Sequence, residues 1–131
     1  MAASKFNLLV FMAMVIAFMM FHYSVADTQH VVGGDIGWII PNDPNFYNDW
    51  ASKETFTVGD TLQFNFNSGA HDVAKVLKDG FDQCNDDGAS TIITDGPGIF
   101  NLTESGEQYY ICRFNGHCMA NQKLVIIVVG S

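Results

Sequence analysis

Thr55-Phe56-Thr57-Val58-Gly59-Asp60-Thr61-Leu62-Gln63-Phe64-Asn65-Phe66 reads as strand, turn, strand. The β-branched and aromatic run 55–58 meets Gly59-Asp60, a turn signal. From Thr61 the side chains alternate with period two, which predicts Leu62, Phe64 and Phe66 on one buried face. Downstream, Asn67-Ser68-Gly69 closes this strand, and residues 71–77 resume as another. A turn of helix fits residues 78–84. Short strands are read at 91–93 and 99–102 around Asp95-Gly96-Pro97-Gly98, and longer ones at 108–112 and 123–129. Upstream, residues 29–32 form a β-like run ended by Gly33-Gly34, while 41–45 (Pro-Asn-Asp-Pro-Asn) marks an irregular connection. Seven to eight strands at this spacing, one short helical segment and no long amphipathic helix predict an all-β sandwich or barrel with antiparallel pairing.

The first 26 residues stand apart from this pattern. Lys5 precedes an almost unbroken apolar run, residues 6–21, and Ser24-Val25-Ala26 supplies the small residues of a cleavage site. Residues 1–26 are therefore expected to be a secretory signal peptide, leaving one domain over 27–131 of about 105 residues. That length suits a single core of modest size. Without Lys5 it sets five basic residues against fourteen acidic ones, a formal charge near −9. Such a surface repels nucleic acid and anionic lipid and favours a neutral or cationic partner. The apolar run 124–129 is too short for a membrane span or a lipid-anchor tail, so a secreted, extracellular monomer is expected. Asn101-Leu102-Thr103 is a glycosylation sequon whose use requires surface exposure.

Three cysteines, Cys84, Cys112 and Cys118, follow the leader, an odd number for an oxidising compartment. Two can pair and one is left over. If residues 117 and 118 are extended, their side chains point in opposite directions, so that His117 faces Cys112 while Cys118 turns towards Cys84. The short-loop pair Cys112–Cys118 remains a competing assignment on the residues alone.

Cys112-Arg-Phe-Asn-Gly-His117-Cys118-Met-Ala-Asn-Gln122 places a soft sulfur, an imidazole and an amide oxygen in one loop, and His71 offers a second imidazole from another strand. A copper ion shuttling between Cu(I) and Cu(II) takes this mixed set, with thiolate and imidazoles near a plane and one weak axial donor. Two rivals carry other chemistry. A Cys-His-His zinc site would suit a hydrolase, for which Asp72 beside His71 is the nearest carboxylate, and a metal-free recognition module needs no ligands at all. Trp38, Trp50, Tyr109 and Tyr110 are expected to pack, and His30 to lie on the surface.

These residues together resemble the phytocyanins, plant extracellular cupredoxins, of the stellacyanin type. The landmarks are Val32-Gly33-Gly34, Gly37-Trp38, Tyr47 with Trp50-Ala51, residues 56–60 and 62–64, His71-Asp72-Val73, residues 81–84 and 109–112, Gly116-His117-Cys118 and Gln122-Lys123-Leu124. The resemblance spans nearly all of 27–131. It implies a cupredoxin-like Greek-key fold and one mononuclear type 1 copper site held by His71, Cys112 and His117. Gln122 falls on the axial position, five residues after His117, and Cys84 and Cys118 match the family disulfide. Met119 lies only two residues after His117 and does not match. The implied activity is outer-sphere transfer of single electrons, with no bond made or broken, to a small redox molecule or redox protein in the cell wall. His117 is the expected exit for the electron.

Overall fold

A computed structural model describes residues 27–130. The leader assigned to residues 1–26 lies outside the described residues. The elements run β1 (Gln29–Val31), a 3-10 turn (Gly34–Ile36), α1 (Phe46–Ser52), β2 (Phe56–Thr57), β3 (Thr61–Phe64), β4 (Val73–Val76), α2 (Lys78–Gln83), β5 (Thr91–Ile93), β6 (Gly98–Asn101), β7 (Gly106–Ile111) and β8 (Lys123–Val129). Among the described residues eight strands make two sheets, ordered β1-β3-β6 and β2-β8-β7-β4-β5.

Burial along β3 alternates as its sequence requires, with Leu62 and Phe64 fully inside and Phe66 partly buried beyond the strand end. The long strand β8 does the same, turning Leu124, Ile126 and Val128 inward and Ile127 and Val129 outward. These inner faces enclose a core of Trp38, Tyr47, Leu62, Phe64, Phe100 and Tyr110 with the β8 aliphatics. Trp38 meets Phe64 edge to face at 4.9 Å and Tyr47 at 5.0 Å, contacts that each stabilise by about 0.5–1.5 kcal/mol beyond area burial. Trp50 packs against the core only in part, and Tyr109 faces the far side, where α2 covers Ala74, Val76 and Ile111.

Two pairings are parallel, β1 with β3 and β2 with β8. Their cause is a crossover: the chain leaves β1, forms α1, pairs β2 with the other sheet and returns to β3, and parallel neighbours need such a long connection. Helix α1 was not read from the sequence. Its signal is the set Phe46, Tyr47, Trp50 and Ala51, one face of a helix, all of which meet the core. The Tyr47 hydroxyl donates to Gly37 O at 2.8 Å and accepts from Ile39 N at 2.9 Å, and burial pushes it up to about 12, so it stays a neutral donor. Gly33 takes φ +73°, and a Cβ there would collide with the Gly37 carbonyl, so glycine alone fits this turn.

His30 corrects the surface expectation. It is 4 % exposed on β1, with Nε2 2.8 Å from Asp60 Oδ2, Nδ1 3.0 Å from Glu54 Oε2, and the ring 4.6 Å from Phe56. Its position follows from the β1–β3 register, which pairs His30 with Leu62 and so brings it beside Asp60. No helix among the described residues is long and apolar enough to cross a membrane.

Candidate metal centre

Two connections, the β7–β8 loop and the segment between β3 and β4, meet at the metal-ligand cluster. Cys112 follows the last residue of β7, Gln122 precedes β8, and the two strands pair antiparallel, so the loop between them must close on itself. Cys112 N–H donates to Gln122 O at 3.1 Å and Gln122 N–H to His117 O at 3.0 Å. Within the loop, His117 N–H donates to Phe114 O, Ala120 N–H to Gly116 O and Asn121 N–H to Cys118 O, each at 2.9–3.0 Å. Gly116 and Asn121 take φ +79° and +76°, the residue types that tolerate a left-handed backbone. His71 enters from the other side, two residues before β4, which pairs with β7.

The side chains converge. One ligand atom from each of His71, Cys112 and His117 lies within 4.8 Å of the other two. Cys112 Sγ is 3.6 Å from His117 Nδ1, and Gln122 Oε1 is 2.9 Å from His117 Nδ1 and 3.2 Å from His71 Nδ1. The two imidazoles lie with centroids 5.1 Å apart and their planes tilted by 58°. Cys112 is 1 % exposed and Gln122 0 %, while both histidines reach the surface in part. Met119 is 76 % exposed.

Cys84 and Cys118 form a disulfide with Cα atoms 5.7 Å apart, and Cys112 is the free thiol. Burial pushes that thiol up, against the backbone N–H groups of Asp72 and Phe114, which hydrogen-bond the sulfur and favour the thiolate.

This donor set fits a soft-to-borderline cation. A thiol, two imidazole nitrogens and an amide oxygen converge on one small volume, where their hydrogen-bond-length contacts are with one another. The Gln122 amide turns its oxygen to this point and leaves its Nε2 buried without a partner, an arrangement that an oxygen–cation bond offsets. Thiolate and imidazole together select copper or zinc over magnesium or calcium.

Asp72 separates those two chemistries. It is 3 % exposed, and its Oδ1 and Oδ2 accept from Arg113 N at 2.7 Å and Arg113 Nε at 2.9 Å. A carboxylate engaged in this way is not free to serve as a general base for a hydrolase. Asn101, last residue of β6, is exposed. The Asp72–Arg113 pair was not anticipated from the sequence, since 41 residues separate its members.

Residues 38–122 match the family described as Plastocyanin-like domain. Cucumber (Cucumis sativus) peeling cupredoxin is 43 % identical over 106 residues, covering 79 % of this chain and 77 % of that protein. A blue copper protein of Arabidopsis thaliana is also 43 % identical, over 76 % of this chain, but the match spans 51 % of that longer relative. Among solved structures, cucumber stellacyanin superposes with a TM-score of 0.76 at 42 % identity, covering 82 % of this chain and 99 % of that one. Cucumber basic protein, a blue copper protein, gives 0.67 at 33 % identity, covering 77 % and 99 %.

Proposed function

The chain belongs to the plastocyanin-like domain family, in its phytocyanin branch of stellacyanin type, and from that premise we propose that it is a type 1 copper protein carrying single electrons. The observation that carries this reading is the convergence of His71 Nδ1, Cys112 Sγ, His117 Nδ1 and Gln122 Oε1 on one point at the end of the sandwich. Bound there, copper supplies a one-electron couple between Cu(I) and Cu(II) and a strong visible band from the thiolate.

The protein's part is to hold, orient and shield. Cys112 and Gln122, closed off from water, keep their donors in a medium of low dielectric constant. The loop hydrogen bonds fix His117 and Gln122 relative to Cys112, and β4 fixes His71, so the donors keep one geometry in both oxidation states. Little rearrangement then accompanies the electron. The part-exposed His117 ring offers the electron a route to a partner outside, and no substrate bond is made or broken.

Gln122 is the axial donor in this reading. Its amide oxygen is harder than a thioether and favours Cu(II), which lowers the reduction potential relative to a methionine at the same place. Secretion follows from the leader at 1–26 and from a disulfide suited to an oxidising compartment, with 27–131 as the mature copper-binding domain. The exposed Asn101 is the proposed glycosylation site. An acidic surface suits a neutral or cationic redox partner in the cell wall.

Voltammetry of the copper-loaded protein and its Gln122→Met variant tests the reading. A reversible one-electron wave that moves to higher potential in the variant is expected. Absence of any wave would overturn the electron-carrier function. An unchanged or lowered potential would remove Gln122 from the axial position.

A further inference from the structure

The segment 27–131 has four sulfur-bearing residues, Cys84, Cys112, Cys118 and Met119, and all four line one cavity of about 210 Å³. Exposure falls steeply across this lining, from 76 % at Met119 to 5 % at Cys118 and 1 % at Cys112, so Met119 stands at the mouth and Cys112 at the inner end. Cys84 and Cys118 are joined in the disulfide, which leaves the thioether and the free thiol as the two sulfur donors. The charged residues of the lining offset each other, since Arg113 Nη1 lies 3.3 Å from Asp86 Oδ2. Neither His71 nor His117 belongs to the lining, so the cavity reaches the donor cluster from its sulfur side.

We propose that Met119 is a transient Cu(I)-binding residue at the mouth of this cavity, from which the ion passes inward to Cys112. A lining without net charge offers little to a hard cation, whereas thioether and thiolate both select Cu(I). The proposal rests on the copper reading of the centre. Transfer inward breaks the contact with the Met119 sulfur, forms the bond to the Cys112 sulfur and releases the thiol proton to water, with no change of oxidation state. An exposed, unbranched side chain with three rotatable bonds is suited to this hand-over. Because Met119 holds the ion only in passing, it lowers the barrier to entry and to exit alike, and the affinity of the loaded site does not depend on it.

The test uses Met119→Leu, which keeps the bulk and removes the sulfur, and Met119→Ala, both in the full protein. Metal-free protein is mixed with Cu(I) held by a coloured, weak chelator, and the loss of the chelator's colour gives the loading rate. Transfer back to excess chelator gives the release rate. In both variants loading and release of Cu(I) should slow by the same factor, about tenfold, equivalent to about 1.4 kcal/mol on the barrier. Loading of aqueous Cu(II) should keep the parent rate. Parent-like Cu(I) rates in Met119→Leu would overturn the proposal. So would an equal slowing for Cu(II), which assigns the effect to the shape of the mouth. Slower loading with unchanged release would overturn it too, because affinity then falls and Met119 is a resident ligand. A parent that takes up neither ion would overturn the copper reading and this proposal with it, so the two failures are told apart.

Discussion

Replacing both Cys84 and Cys118 by alanine removes the one covalent tie between the end of α2 and the loop that carries His117. The bridge closes a segment of 34 residues. In the chain-entropy treatment a loop of that length restricts the unfolded ensemble by about 12.6 cal/mol/K, or about 3.8 kcal/mol at 25 °C. For a domain of this size the unfolding entropy near the midpoint is roughly 220 cal/mol/K, so the melting temperature should fall by about 15–20 °C. Cys118 is also buried, beside Ala74, Val76 and Ile111, and its lost sulfur contacts move the result in the same direction. Differential scanning calorimetry of metal-free parent and double variant measures the difference without any contribution from a bound ion. The double variant avoids the stray thiol that either single change would leave. A fall of less than 5 °C would refute the reasoning, because it would mean that packing and the loop hydrogen bonds alone hold this end of the sandwich.

Three further outcomes follow from the same geometry. Burial pushes the Asp60 carboxyl up, but hydrogen bonds from His30, Thr28 N–H and Thr57 N–H outweigh it and hold it below the ordinary 3.8. A depressed carboxyl contributes stability that is present above its unfolded value and is lost as pH falls through its folded one. Urea unfolding of Asp60→Asn should therefore show a deficit of about 1.5–3 kcal/mol at pH 7 that narrows below pH 3.8. Met119 is 76 % exposed whereas Cys112 and Gln122 are buried, so Met119→Ala should leave copper affinity unchanged within twofold by competition titration and the potential unchanged by voltammetry. Gln122→Ala, by contrast, deletes a fully buried amide, and the same titration should show weakened binding of at least tenfold.

Much of the fold could be read locally because its signals are local. The alternation in 61–66, the apolar stripe of β8 and the helical turn after Leu77 each depend on near neighbours in sequence. The loop donors were legible for the same reason, since Cys112, His117 and Gln122 lie within eleven residues of one another. What could not be read depends on distant partners. Helix α1 spans only seven residues after two prolines, and burial of Tyr47 holds it where propensity would not. The parallel pairings and the burial of His30 arise from the crossover that brings β1 beside β3, and no pattern within residues 29–32 announces it. The ion pair between Asp72 and Arg113 likewise joins residues that meet only because β4 and β7 pair.

All of this converges on whether one buried sulfur between two imidazoles bonds a copper ion. The direct measurement is the optical spectrum of metal-free protein titrated with Cu(II), set beside the Cys112→Ser variant. An intense visible band that saturates at one equivalent in the parent and is missing from the variant is the expected result. A colourless parent, or a band that survives the loss of Cys112, would contradict the account.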